Sequence, residues 1–278
     1  MESIPIAKHE VVPMDRVAIG LKGLQILFVN LFGVDAGGGE WVLIDAGLPY
    51  SAAYIRSWVK RQFCGRAPMA IILTHGHFDH AGACRELADA WHCPVYAHEL
   101  EHPYLNGTRH YPPPDPSVGG GLMARLSPLY PKGPFDLGEH LLALPMDGTV
   151  PHLGGWRWLH TPGHTEGHVS LFRPEDSTLL VGDAFCTTKT ESFLKALQQP
   201  PELSGPPAYF TTDWDAARAS VRKLVSLRPQ TLAPGHGRSM HGAEVAEKLE
   251  VLARDFDQIA VPAHGRNADE SKRERPAA

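Results

Sequence analysis

His75-x-His77-x-Asp79-His80 packs three imidazoles and a carboxylate into one short segment, a donor set suited to a borderline cation such as zinc or iron. At the chain's own His and Asp frequencies, such a string arises by chance in roughly one chain in several hundred. Four donors exceed what one catalytic ion needs, and crowding keeps all of them off a single ion. The string therefore implies two metals, with further ligands elsewhere. Three candidates follow other apolar runs: His164 in Thr161-Pro162-Gly163-His164, Asp183 after Gly182, and His236 in Pro234-Gly235-His236-Gly237. Each taken singly reads as readily as a turn or cap residue. Taken with the cluster, they supply what a dinuclear site lacks.

These residues need strands that end together. Val17–Ile19, Gln25–Gly33 and Trp41–Ile44 read as antiparallel strands, the last two joined by the glycine-rich segment from Asp35 to Glu40. Tyr54, Ile55, Trp58, Val59 and Phe63 recur at helical spacing behind Ser51 as a cap. Met69–Leu73 reads as a buried strand that delivers the histidine cluster at its carboxyl end. A helix from about His80 to Trp91 and a strand over Pro94–Ala97 follow. Between Glu99 and Phe135 the periodicity gives way to prolines and Gly119-Gly120-Gly121, which predicts a lid-like insertion over 99–135. Strands return at Leu141–Leu144, Trp156–His160, Val169–Phe172, Thr178–Val181 and Thr231–Ala233. Two helices follow, one with Trp214, Ala217, Val221 and Leu224 on a face, the other with Val245, Leu249, Leu252, Phe256 and Ile259. The fold class expected is α/β, a four-layer αβ/βα sandwich in which two mixed β-sheets pack face to face with helices outside. A single domain is expected over 1–262, with 263–278 a polar, disordered tail.

Composition narrows the function classes. A chain of 278 residues that is 43% hydrophobic and 21% charged can bury a core of its own. Its net charge of −5, spread without long runs, argues against a nucleic-acid or anionic-membrane surface. No apolar run approaches the ~20 residues of a membrane span, and no basic stretch leads into an apolar one near Met1, so a cytoplasmic protein is expected. Cys64, Cys84, Cys93 and Cys186 form no CxxC pair and read as reduced, mostly buried thiols. The partner expected is a small-molecule substrate; monomer and homodimer both stay open.

Asp45 in Leu43-Ile44-Asp45-Ala46-Gly47, the 75–80 cluster, His164, Asp183 and His236 occur in the order found in the metallo-β-lactamase superfamily, which the chain resembles from about residue 25 to 240. The resemblance implies that His75, His77 and His164 hold a first metal, that Asp79, His80 and His236 hold a second, and that Asp183 bridges them. The cofactors implied are two divalent ions, Zn2+ first, with iron or manganese also suited to these donors. Asp45 and His168 look like supporting residues that fix the ligand imidazoles. For His168, a strand-start histidine bonded to backbone is an equal reading. A water shared by two such ions has its pKa lowered toward ~7, and the resulting hydroxide, oriented by Asp79, is the expected nucleophile on a carbonyl.

Departures from particular branches narrow the substrate. Asp183 stands where β-lactamases of the family carry Cys or Ser. Only a short helical stretch follows His236, where glyoxalase II-like thioesterases add a longer helical domain. No basic arm for RNA is present, and His77 departs from the glutamate of the diiron electron-transfer branch. Acyl-homoserine lactonases share the ligand set but place Tyr where this chain has Cys186. A small ester, lactone or thioester hydrolase is the reading that remains. Cys186, Phe185, Tyr104 and Tyr111 are its candidate pocket residues. The alternatives are a mononuclear iron dioxygenase of the same fold, like the persulfide dioxygenases, and a glyoxalase II-like thioesterase.

Overall fold

The computed structural model describes residues 4–5, 14–118, 121–133, 135–192, 198 and 202–268. Gly119, Gly120 and the 269–278 part of the expected tail lie outside the described residues. The strands are β1 (Ile4–Pro5), β2 (Leu21–Ile26), β3 (Val29–Gly37), β4 (Glu40–Ile44), β5 (Ile71–Ile72), β6 (Val95–Ala97), β7 (Leu141–Ala143), β8 (Thr149–Val150), β9 (Leu153–His160), β10 (Val169–Arg173), β11 (Thr178–Gly182), β12 (Glu202–Leu203), β13 (Thr231–Pro234) and β14 (Met240–His241). One six-stranded sheet has the order β2-β3-β4-β5-β6-β7 and the other β14-β13-β11-β10-β9-β8. Both are mixed: β4, β5, β6 and β7 run parallel, as do β11 and β13, and the remaining neighbours within these two sheets are antiparallel.

Side-chain alternation along the strands builds three apolar layers. Phe32, Val34, Val42, Ile44 and Ile72 of the first sheet meet Leu153, Trp156, Val169, Leu171 and Leu180 of the second, filling the space between the sheets. Leu31, Trp41, Leu43 and Ile71 point the other way, onto Ile55, Trp58 and Val59 of helix Ala52–Gln62 and Cys84 and Leu87 of helix Cys84–Trp91. Leu179, Val181 and Leu232 face outward from the second sheet onto Trp214, Val221 and Leu224 of helix Trp214–Ser226 and Leu249 and Leu252 of helix Ala243–Arg254. The expected four layers are therefore present.

Several boundaries differ from expectation for identifiable reasons. Val17–Ile19 forms no strand; a 3-10 turn over Met14–Arg16 precedes β2, and Ala18 makes only an isolated bridge to Leu21. Gln25–Gly33 is not one strand but a hairpin that reverses at Leu27–Phe28, with Ile26 paired to Val29 and Leu27 in the left-handed region (φ 56°). Neither turn residue is a glycine or asparagine, so the reversal carried no local signal. Ser51 precedes its helix, yet its hydroxyl donates to Leu48 O rather than capping. The helix from His80 divides into Phe78–Ala81 and Cys84–Trp91, because Gly82 turns to donate its N–H to Gly47 O.

The 99–135 insertion carries short helices at His102–Leu105 and Leu122–Leu126, with Tyr104, Tyr111, Met123 and Ala124 buried. The chain also stays attached past Ala263, where fraying was expected. Arg266 N–H donates to Asp115 Oδ2 (2.6 Å), Asn267 Nδ2 donates to Thr211 O (2.8 Å), and Ala268 is buried. Asp115 and Thr211 thus dock residues 265–268 against the insertion and the second half of the fold. Among the described residues, no helix is long and apolar enough to cross a membrane.

Candidate metal centre

The seven expected ligands and Asp45 follow strands that end on one rim. Asp45 follows β4, His75 through His80 follow the run that contains β5, His164 follows β9, Asp183 follows β11 and His236 follows β13. Two groups form there: His75, His77 and His164; and Asp79, His80 and His236. Asp183 groups with His75 and His80, all buried. His77 Nδ1 lies 3.0 Å from His75 Nε2 and 2.9 Å from His164 Nε2. Asp183 Oδ1 is 3.4 Å from His80 Nε2, and Asp183 Oδ2 is 3.5 Å from His164 Nε2 and 3.1 Å from His236 Nε2. His236 Nε2 also approaches Asp79 Oδ2 at 3.5 Å.

The far ring nitrogens explain this orientation. Thr74 Oγ1 donates to Asp45 Oδ2 (2.9 Å), which leaves it free to accept from His75 Nδ1 (3.1 Å). Thr211 Oγ1 donates to Pro207 O (2.9 Å) and faces His164 Nδ1 at 3.4 Å. His75 and His164 therefore turn unprotonated Nε2 lone pairs inward, and the single nitrogen of His77 between them has a proton for at most one. A lone pair opposing a lone pair calls for a cation. His80 Nε2 and Asp183 Oδ1, buried and 3.4 Å apart, have no hydrogen-bond partner among the described residues, which argues the same way. On this donor chemistry the residues fit a pair of metal ions.

Asp45 holds the second group. It sits at φ 61° directly after β4, a conformation an aspartate tolerates. It accepts from Thr74 N–H (2.8 Å) and, through Oδ2, from His80 Nδ1 (2.8 Å). Of the two readings of His168, the structure has the one in which it bonds to backbone. Its Nε2 accepts the Asp183 backbone N–H (2.8 Å) and its Nδ1 faces Thr161 O (3.1 Å), so it fixes the bridge's main chain and no ligand imidazole. Gly182 makes this approach feasible, since a Cβ there would press on His168 Nε2.

Electrostatics divides the groups. Burial and neighbouring imidazoles, His80 for one and His164 for the other, hold His75 and His77 well below their ordinary value. Burial takes His164 down to about 3 and His168 to about 4. All four are neutral at pH 7, as ligands and acceptors must be. Although burial opposes it, Asp183 with Asp45 pushes His80 well up, and Asp183 likewise raises His236. Asp183 is kept well below the carboxylate range against burial by His236 and His80, whereas burial raises Asp79.

Two features that sequence reasoning missed, the hairpin tip with Phe28 and Asn30 and the carboxylate of Glu101, complete the frame. The hairpin tip reaches the last ligand: Phe28 O accepts from His236 Nδ1 (2.8 Å), and Asn30 Nδ2 donates to Pro234 O (2.9 Å) and Gly237 O (2.6 Å). Asn30→Ala leaves both carbonyls without that donor. It is expected to lower unfolding stability by ~2 kcal/mol, read as a lower urea midpoint at unchanged slope. Glu101 is the other. It is buried and accepts from Gly76 N–H (2.9 Å), Gly167 N–H (2.9 Å), Thr165 Oγ1 (2.6 Å) and the Tyr111 hydroxyl. A bond to a residue so distant in sequence leaves no spacing signal.

The pocket expectations fare unevenly. Tyr104 and Tyr111, stacked at 3.9 Å, line a narrow opening of about 50 Å³ beside His77 with Pro112, Thr165 and Phe210. Phe185 and Cys186 do not line it. Phe185 belongs to the apolar core under the second sheet, and Cys186 is wholly buried with its backbone paired to Ser204, because both follow the bridge inward.

Residues 26–236 match the family described as the metallo-beta-lactamase superfamily. The probable metallo-hydrolase YflN of Bacillus subtilis is 45% identical over 247 residues, covering 88% of this chain and 94% of its own. YybB of the same organism, also a probable metallo-hydrolase, is 29% identical over 220 residues, covering 78% and 86%. Among solved structures, TTHA1623 in a di-iron-bound form superposes with a TM-score of 0.54 at 29% identity, covering 84% of this chain and 96% of its own. The B3 metallo-beta-lactamase BLEG-1 does so at 0.57 and 28%, covering 81% and 96%.

Proposed function

From the premise that this chain belongs to the metallo-β-lactamase superfamily and is a metal-dependent hydrolase, we propose that it uses two divalent ions, Zn2+ first, to hydrolyse the carbonyl of a small ester, lactone or thioester. The observation that carries this reading is Asp183, whose two carboxylate oxygens approach His80 on one side and His164 and His236 on the other. Ions held by these residues would supply Lewis acidity and an acidified water at neutral pH.

The chain's own residues do the rest. Asp45 and Phe28 O orient the two imidazoles of the second group through their Nδ1 atoms. Asp79, beside His80 and His236, would be placed to orient the nucleophile and shuttle its proton. Phe210 packs on His77 (4.6 Å) and near Phe78 (6.3 Å), shielding the centre from bulk water. The opening beside His77 has room for a few water molecules.

The test is a panel of chromogenic esters, lactones and thioesters against Zn2+-, Mn2+- and Fe2+-loaded protein, with metal content measured on the same samples. Two ions per chain and turnover that chelation removes are expected, with Asp79→Asn about 10²-fold slower. One iron per chain with dioxygen consumption, or equal rates for Asp79→Asn and the parent, would overturn the proposal.

A further inference from the structure

Glu101 stands outside the ligand set, on the 3-10 turn Glu99–Glu101 that opens the insertion, with its side chain wholly buried. Its partners come from three separate segments. Oε2 accepts from Gly76 N–H (2.9 Å) and the Tyr111 hydroxyl; Oε1 accepts from Thr165 Oγ1 (2.6 Å) and Gly167 N–H (2.9 Å). Gly76 is the residue between ligands His75 and His77, and Thr165 directly follows ligand His164. One carboxylate therefore spans both turns that present the first ligand group, and its Tyr111 partner adds the wall of the opening.

The backbone is shaped for this contact. A Cβ on Gly167 would lie 2.7 Å from Glu101 Cγ, and one on Gly76 would lie 2.6 Å from the Tyr111 hydroxyl. Both glycine N–H groups can thus reach the carboxylate only because neither residue has a side chain. All four partners are neutral donors, and each oxygen receives one fixed backbone N–H. An acceptor-only group is required at both ends.

We propose that Glu101 is a positioning residue for the first ligand group, clamping the 75–77 and 164–167 turns so that His75, His77 and His164 converge before a cation arrives. This rests on reading those histidines as a metal site. Glutamine is the sharp variant. Whichever end carries its NH2 meets a backbone N–H, of Gly76 or of Gly167, that cannot accept.

The experiment isolates each group and uses Co2+ alone as the probe. In a His236→Ala background, which removes a ligand of the second group, adding Glu101→Gln is expected to weaken Co2+ affinity about 10- to 100-fold. In a His77→Ala background the same change is expected to leave affinity within about twofold. Glu101→Asp in the first background recovers part of the loss. If Glu101→Gln fails to fold, Thr165→Val, which removes one donor and keeps the shape, is expected to cost about tenfold in the first background and nothing in the second. Equal losses in both backgrounds, or none in either, would overturn the proposal, since a merely structural role would not discriminate between them. Failure of the parent chain to bind a second ion would count against the two-ion reading instead, while the comparison in the His236→Ala background still decides Glu101.

Discussion

Asp183→Asn is expected to lower kcat by about 10³-fold or more and to remove most of the stabilisation that metal confers. The isosteric amide keeps the shape of a side chain packed among His80, His164 and His236, so the fold should survive. What disappears is the charge that both groups share. Asp183 keeps His80 and His236 above their ordinary values; without it, the second group loses its strongest attraction for any cation, proton or metal. Two measurements check this. Metal content should fall from two ions to one or none. The rise in melting temperature on adding metal, which corresponds to about 4 kcal/mol when free metal is 1,000-fold above Kd, should largely vanish. An Asp183→Asn chain with the parent's metal content and rate would refute the shared-carboxylate reading.

Gly235→Ala should be nearly as damaging although it alters no ligand. Its Cβ would fall on Asp183 Oδ1, 2.8 Å from His80 Cε1 and 3.2 Å from Gly182 O. The backbone cannot retreat, because Gly235 N–H donates to Gly182 O (2.9 Å) and Gly235 O accepts from Asn30 N–H (2.8 Å). The carboxylate must rotate away instead. A displacement of that kind is expected to cost about 10²-fold in kcat, with ~1–3 kcal/mol of overpacking strain in urea unfolding. Gly154→Ala, whose Cβ would meet nothing within 4 Å, is the matched control. Equal activities for the two variants would show that the site tolerates a moved bridge.

The parts of this architecture that were legible in sequence are those encoded locally. The apolar run before His75 and the density of donors from His75 to His80 sit within one short window, and the β-branched and aromatic residues of Trp41–Ile44 and Val169–Phe172 announced strands. Position after other apolar runs made His164, Asp183 and His236 candidates, the resemblance assigned their roles, and the fold brings them to that window. The rest is non-local. Asn30 meets the 234–237 loop, Thr211 meets His164, and Glu101 meets Gly76 and Gly167 only after both sheets have packed. The turn at Leu27–Phe28 was missed because ordinary residues make it, and Phe28 serves His236 rather than the hairpin. Cys186 and Phe185 were misjudged because their distance from Asp183 in sequence did not reveal that the chain dives inward there.

The contact between the first hairpin and the last ligand has a consequence for biosynthesis. Phe28 and Asn30 leave the ribosome early, whereas the imidazole and carbonyls they hold are among the last parts of the centre to be translated. A nascent chain halted between residues 144 and 235 already contains every strand of the first sheet and all four donors of the 75–80 string, yet it lacks His236 and part or all of the loop that Asn30 fastens. On the two-ion proposal, the second group of donors is thereby incomplete until residue 236 and its loop have been made.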